Sequence, residues 1–444
     1  MQVPWIQVSR SRPLLLKLKP DVFLIAIGLG TLLHLSLLVF NTIAIRSLSV
    51  ISGGRNSIFS REENASALVL VASQKTLPVM VAVIEPLQGA FGESGLLVLP
   101  CVAAHLNQII VDSFIVNFLR SRDNSNNVKA IQAPPPRKCG SPNGPPITAS
   151  RIKLRDGRHL AYKEHGVPRE LAKNKIVFLH GFRSSRHDAV IATNLPNGLV
   201  EELGVCVVSF DRPGYGESDP DPNRTMKSLA LDVEELADKF YVVGFSMGGQ
   251  AVWGCLNFIP HRLAGATLLT PVVNYWWHNL PSNITTKSFY DQPTQDQWAV
   301  RVAHYFPWLT FWWFTQKWFP SSTAVSPTPI VLSHQDLSII SNINRQHQSQ
   351  VQQQGEAESI CRDAILGFGR WDFDPLDIDN PFPDNTGHVH LWQGDDDKLI
   401  PVPLQRYIAQ NIPWIHYHEI SGSGHLFPYL HELTATIIKT QLLH

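Results

Sequence analysis

Residues 242–250 read Val-Val-Gly-Phe-Ser-Met-Gly-Gly-Gln, a β-type run that breaks into Gly244-Phe245-Ser246-Met247-Gly248 and passes into a helix-like stretch. Strand, tight turn and helix in so few residues put Ser246 at the apex of a sharp corner. The corner needs glycine at 244 and 248, because a side chain at either place would strike neighbouring backbone while the serine projects its hydroxyl. A serine hydroxyl is a weak nucleophile on its own, so a base, and an acid to hold that base, are required from elsewhere in the chain.

Both follow, in the order Ser, Asp, His. An apolar strand over 388–392 runs into Gly394-Asp395-Asp396-Asp397-Lys398-Leu399-Ile400-Pro401. That places carboxylates beyond the carboxyl end of a strand, where α/β folds build their sites. Asp397 is the expected acid, with Asp395 and Asp396 as close rivals. A strand-like 414–420 leads into Ser421-Gly422-Ser423-Gly424-His425, whose glycines let the loop turn the imidazole of His425 towards Ser246. Upstream, a buried strand over 175–180 is followed by Gly181-Phe182. The backbone amides of Phe182 and Met247 are the expected oxyanion donors, and one such donor is worth about 3 kcal/mol of barrier. This chemistry requires no metal and no organic cofactor.

The four pieces in this order predict an α/β-hydrolase fold over 149–444, a mostly parallel sheet with helices on both faces. From about residue 133 to the end, the chain resembles a plant family of α/β-hydrolase-fold proteins. The resemblance is carried by His180-Gly181-Phe182, Asp211-Arg212-Pro213-Gly214-Tyr215-Gly216-Glu217-Ser218, Gly244-Phe245-Ser246-Met247-Gly248-Gly249, Asp397 and His425. It implies a serine hydrolase acting on an ester-like substrate through an acyl-enzyme. Serine at 246 separates the chain from epoxide hydrolases and haloalkane dehalogenases, which carry aspartate there. Some plant relatives bind hormones, so a non-catalytic ligand receptor is one alternative, a residual membrane transport function of the amino-terminal part is the other, and the fold does not name a substrate.

One departure from the family pattern stands just before the elbow. The spacing predicts an amphipathic helix over 226–238, with Leu229, Val233 and Leu236 on one face, yet a strand begins at Phe240. Connections of this kind usually take about two to six residues, so either the helix ends early or the elbow strand is out of register. Further on, residues 272–383 form a long insertion where a lid is expected, rich in tryptophan at 276, 277, 298, 308, 312, 313, 318 and 371. These rings would wall a pocket for an apolar acyl group, pack the insertion onto the core, or touch a membrane surface. Residues 346–354 are glutamine-rich and read as an exposed loop or polar helix.

The first 120 residues have another character. Residues 22–45 carry no formal charge over 24 positions, enough to cross a hydrocarbon core of roughly 30 Å. A second apolar stretch covers 95–119, and between them 65–84 is broken by Ser73-Gln74-Lys75-Thr76 and Pro78, as discontinuous transporter helices are. About three transmembrane helices are therefore expected. This part resembles the carboxyl-terminal portion of a bile-acid:sodium symporter family member of the plastid type, through Ala72-Ser73-Gln74-Lys75-Thr76-Leu77-Pro78-Val79, Gly92-Glu93-Ser94-Gly95 and His105-Leu106-Asn107-Gln108. Such transporters have about ten spans, so sodium-coupled transport by this part alone is not expected, and Gln74 and Asn107 read as polar groups packed between helices. The resemblance implies a multi-pass membrane protein of the plastid envelope or an endomembrane. Arg10, Arg12, Lys17 and Lys19 precede a span too long for the apolar region of a signal peptide, so a cleavable leader is not expected. Residues 121–148, rich in Pro, Ser and Asn, read as a linker.

Composition narrows the partners. Lys plus Arg and Asp plus Glu are both 37, with no basic cluster, which argues against nucleic acid. The five cysteines are odd in number and lack Cys-x-x-Cys spacing, so neither a disulfide frame nor a zinc site is suggested. A small-molecule or lipid-like ester and a membrane are the expected partners.

Overall fold

The computed structural model describes residues 20–51, 68, 69, 72, 73, 105, 108, 112, 133–325, 332–342 and 348–443. The chain divides into two compact units, Met1–Lys129 and Ala130–His444.

In the first unit, α1 spans Pro20–Ile51. Among the described residues, one helix stretch, Gly28–Ile45, is long and apolar enough to cross a membrane. Many of its apolar side chains face outward: Leu29, Leu32, Leu33, Val39, Phe40 and Ile43 are exposed, while Leu38 and Ile45 are buried. Ser36 and Ser47 are exposed and bond to their own helix, but two larger polar groups are paired within the protein. His34 Nε2 lies 2.8 Å from Asp112 Oδ1, and Asn41 Nδ2 donates to Ser73 Oγ at 2.9 Å. Polar groups inside and apolar groups outside reverse the pattern of a water-soluble helix and match one in hydrocarbon, where polar groups must find partners within the protein. The other two expected spans, with Gln74 and Asn107, lie outside the described residues apart from isolated positions. One candidate span thus stands where three were expected.

The second unit is built on an eight-stranded sheet: β1 Ser150–Lys153, β2 His159–Gly166, β3 Asn174–Leu179, β4 Val205–Phe210, β5 Phe240–Phe245, β6 Leu263–Leu269, β7 Val389–Gly394 and β8 Ile415–Ile420. The strand order is β1-β2-β4-β3-β5-β6-β7-β8. β1 and β2 run antiparallel, and all pairings from β4 to β8 are parallel. Alternation along the strands divides the core into two layers. Val177, Leu179, Val242, Leu268 and Leu391 pack on one face, together with Trp253, Leu256, Leu404 and Ile408. Ile176, Phe178, Val243, Phe245, Leu269 and Trp392 pack on the other, against Leu199, Leu203, Ile437 and Ile438. Each such side chain contributes roughly 1.5–3 kcal/mol by leaving water.

The helices cover both faces as the pattern required. α2 (Asn197–Leu203), α3 (Met226–Glu234), α4 (Met247–Phe258), α5 (Ser282–Tyr290), α6 (Thr294–Tyr305), α7 (Thr310–Thr315), α8 (His334–Asn342), α9 (Arg362–Phe368), α10 (Val402–Asn411) and α11 (His431–Leu443) follow in order. The tight connection before the elbow is resolved by the first of the two alternatives. α3 stops at Glu234, so residues 235–239 make the turn, and Arg262 Nη2 donates to the carbonyls of Glu234 and Ala237 that the helix end leaves open. β5 keeps step with β3, from Ile176 opposite Tyr241 to Leu179 opposite Gly244. An irregularity at Phe240 and Tyr241, against β6, lies at the far end of the strand from Ser246.

Two expectations about loops change. Residues 133–148 are not loose: the amide of Arg137 donates to the Gln354 carbonyl at 3.0 Å, and Glu217 accepts from Thr148 N, Thr148 Oγ1 and Ala149 N. The glutamine-rich stretch holds a short helix, Gln348–Val351, as one of its two readings had it, but its end is not a free polar surface. Gln354 is fully buried, and its Nε2 donates to the carbonyls of Gly216 at 2.8 Å and Ser218 at 2.5 Å.

Candidate active site

The elbow forms as the spacing required. Ser246 follows β5 and caps the start of α4, with φ +56° and ψ −116°. This is a positive φ for a non-glycine residue, a conformation that costs about 1–3 kcal/mol unless its surroundings impose it. Here they do. The Ser246 amide donates to Leu269 on β6, and its carbonyl accepts from Gln250 and Val272. A Cβ at Gly244 would run into the Gly248 carbonyl, and one at Gly248 into the carbonyls of Leu179 and His180. The turn therefore packs backbone on backbone, and only glycine allows it.

His425, in the loop after β8, brings its Nε2 to 3.1 Å from Ser246 Oγ, while its Nδ1 lies 2.9 Å from Asp397 Oδ2. A carboxylate can only accept, so Nδ1 carries the proton and Nε2 is left to take one from the serine. The geometry separates the three aspartates. Asp397 turns inward, where Gln393 Nε2 donates to Oδ2 at 2.9 Å and the amides of Leu399 and Ile400 donate to Oδ1 at 2.8 and 2.9 Å. Asp395 instead accepts from Ser421 Oγ and the Gly422 amide, and Asp396 pairs with Lys398 at the surface. Burial pushes the His425 imidazole down, but the charge of Asp397, its hydrogen bond and the charge of Asp336 outweigh it, so the pKa lies above the ordinary 6.5.

Phe182 and Met247 both line the cavity beside Ser246 and His425. Met247 opens α4, so its amide is among those a helix leaves without an internal acceptor. The loop carrying Phe182 is fixed from behind. His180 Nε2 accepts from the Arg212 amide at 3.0 Å and its Nδ1 faces the Gly181 carbonyl at 2.8 Å. Burial, with the charge of Arg212, holds this imidazole well below the usual histidine range, so it is neutral. The Arg212 guanidinium donates to the Gly181 carbonyl and, at 2.5 and 2.6 Å, to both oxygens of Asp363 on α9, which also accepts from Tyr215.

The cavity above Ser246 has a volume of about 160 Å³. Its walls near the serine are apolar, with Phe182, Met247, Phe314, Phe368 and Ile400, and Gln292, Asp296 and Thr323 add polar groups. Asp296 is occupied within the insertion, accepting from Ser322 Oγ, Thr323 N and Thr323 Oγ1. The tryptophans do not supply the wall, contrary to one reading of the sequence. Trp277 and Trp371 pack together in the core, Trp276 stacks on His304, and Trp298, Trp308 and Trp318 are exposed.

A family model described as "Alpha/beta hydrolase family" matches residues 176–436, more than half of the chain. The chain belongs to the alpha/beta hydrolase family. A second model, "SBF-like CPA transporter family", matches residues 2–121. Over 129 residues the chain is 64% identical to an Arabidopsis thaliana protein named "Probable sodium/metabolite cotransporter BASS4, chloroplastic", covering 29% of each. It is 62% identical over 121 residues to the protein of the same name from Oryza sativa subsp. indica, covering 27% of this chain and 29% of that one. The chain thus spans under a third of the length of these curated relatives. Solved structures similar to it include an esterase from Thermogutta terrifontis, at 20% identity with a TM-score of 0.43 over 66% of this chain and 98% of that one. An esterase from Exiguobacterium antarcticum has 18% identity and a TM-score of 0.43 over 67% of this chain and 100% of that one.

Reasoning from sequence missed Gln393, which orients Asp397, and Asp336, whose carboxylate accepts from the His425 amide at 3.1 Å. Ser333-x-x-Asp336 did carry a helix-start signature, but nothing in it pointed to the base.

Because His425 must be neutral to accept a proton, kcat/KM for an ester should fall as pH drops through a midpoint above 6.5. Asp397→Asn should move that midpoint down and lower the rate roughly 10³–10⁴-fold. Asp395→Asn and Asp396→Asn should change it less than about tenfold; a larger loss in either than in Asp397→Asn would remove Asp397 from its role.

Proposed function

We propose that the second unit is a serine hydrolase that cleaves an ester-like bond with a small, apolar acyl part. The observation that carries this reading is the Ser246–His425–Asp397 relay, with contacts of 3.1 and 2.9 Å, at the floor of an apolar cavity. Ser246 Oγ attacks the carbonyl carbon as His425 Nε2 takes its proton, and Asp397 holds the imidazolium that forms. The amides of Phe182 and Met247 receive the oxyanion. The protonated His425 then passes its proton to the leaving oxygen, and water, activated by the same imidazole, releases the acyl group.

Cavity size bears on the substrate. A space of roughly 150 Å³ holds a molecule the size of benzene, and the cavity beside Ser246, open to solvent on one side, offers about 160 Å³. It suits a short aliphatic or single-ring acyl group better than a long lipid tail. Ser246→Ala should leave thermal stability within a few degrees of the parent and lower ester turnover by about 10³-fold or more. Retained turnover would overturn the reading, and faster turnover of long-chain than of short-chain esters would overturn its acyl preference.

For the first unit we propose a membrane location, with the chloroplast suggested by the name of its relatives. The support is the transporter-family match together with the outward apolar and inward polar side chains of α1. The role proposed for this unit is to tether the hydrolase to the membrane. The full chain should stay with the membrane pellet after alkaline carbonate washing. Its release into the supernatant would contradict the tether.

A further inference from the structure

We infer that Asp336, in the insertion, is a positioning residue for His425: it fixes the backbone of the loop that carries the base and sets a second carboxylate beside the imidazole. This rests on the hydrolase reading of Ser246, His425 and Asp397.

Asp336 is fully buried in the first turn of α8. Its Oδ2 accepts from the His425 amide at 3.1 Å, and its Oδ1 accepts from the Leu426 amide at 2.7 Å. The neighbouring Gln335 accepts from the Gly424 amide through Oε1 at 2.9 Å. Three consecutive amides of the base loop, at 424, 425 and 426, therefore end on one turn of one helix. That turn is itself locked, because Asp336 N donates to Ser333 Oγ at 3.0 Å and Ser333 N donates to Asp336 Oδ2 at 3.2 Å, a reciprocal cap. The two segments are also in steric contact. A Cβ at Gly424 would run into Ser333 Oγ and the Asp336 carboxylate, so the loop lies against the helix as closely as glycine permits.

A loop of the form Ser-Gly-Ser-Gly-His has little stiffness of its own, since glycine leaves its backbone nearly unrestricted. The distance of 3.1 Å between Nε2 and Ser246 Oγ needs an external clamp, and α8 provides it. A shift of about 1 Å there would cost on the order of 10²-fold in rate. Charge adds a second effect. The charges that act on His425 are those of Asp397, from the loop after β7, and Asp336, from α8. Both favour the imidazolium that forms when the serine proton is transferred.

The consequence is that the insertion does more than cover the cavity.

The test is the pH dependence of the rate at which a fluorophosphonate probe modifies Ser246 in the full-length chain, in detergent micelles. Asp336→Asn keeps the size and one acceptor but removes the charge; it should label with a midpoint about half to one pH unit lower than wild type. Asp336→Glu should restore the midpoint, and Asp336→Ala, which removes the acceptor as well, should slow labelling about tenfold or more. Wild-type labelling together with an unchanged midpoint in a folded Asp336→Asn chain overturns the inference and leaves the hydrolase reading standing. Should Asp336→Asn fail to fold, Gln335→Ala carries the test: a rate lowered about threefold with an unmoved midpoint supports the clamp, and an unaltered rate overturns it. No labelling of folded wild type at any pH overturns the hydrolase reading and this inference with it.

Discussion

The backbone at Ser246 is the constraint on which the rest of the second unit depends. A serine at φ +56° is unfavourable by itself, and it persists because β3, β5, β6 and α4 meet there without side chains between them. Gly248 lies on the carbonyls of Leu179 and His180. The strand that leads to Gly181-Phe182 and the strand that leads to Ser246 are thus pressed into a fixed relation. Relaxing the turn would withdraw the hydroxyl from the cavity floor and move the Met247 amide with it. Strain of a few kcal/mol is small beside the burial that the two core layers provide.

Around this corner the insertion acts as a brace at two points. Asp363 on α9 takes both arms of the Arg212 guanidinium, and Arg212 in turn holds Gly181, next to Phe182. Asp336 on α8 takes the amides of the base loop. Buried ion pairs add little net stability, because desolvation consumes much of the Coulomb gain. Their effect here is directional: Arg212 fits Asp363 in one orientation, and that orientation fixes where the Gly181-Phe182 loop sits. The Gly181-Phe182 loop and the His425 loop are thus both secured by a segment that, from its composition alone, looks like a cover.

What could be read in the sequence follows from how local each signal is. Ser246, Asp397 and His425 each stand just beyond a strand, in a short motif whose turn residues speak for themselves, and the structure brings all three together. The choice among Asp395, Asp396 and Asp397 was not legible, because consecutive residues in a turn point in different directions and only the path after β7 decides which faces inward. The end of α3 at Glu234 was hidden for a related reason: Leu236 continues the apolar spacing of the helix, yet it is buried from the turn that follows. The tryptophans misled because abundance does not tell which face a ring occupies; the cavity takes its aromatic wall from Phe182, Phe314 and Phe368 instead. Gln354 and Asp336 were unreadable, since their partners lie more than 80 residues away. In the first unit, composition identified the apolar span, but the inward polar pairs of His34 and Asn41 needed coordinates.

The claim tested most directly by one measurement is that Ser246 is an activated nucleophile in the intact chain. The measurement is exposure of the purified full-length protein to a fluorophosphonate, followed by mass spectrometry of the modified peptide, with His425→Ala alongside. The account predicts modification at Ser246, largely lost in the variant. A folded protein that takes up no probe, or one modified at another serine, would contradict it.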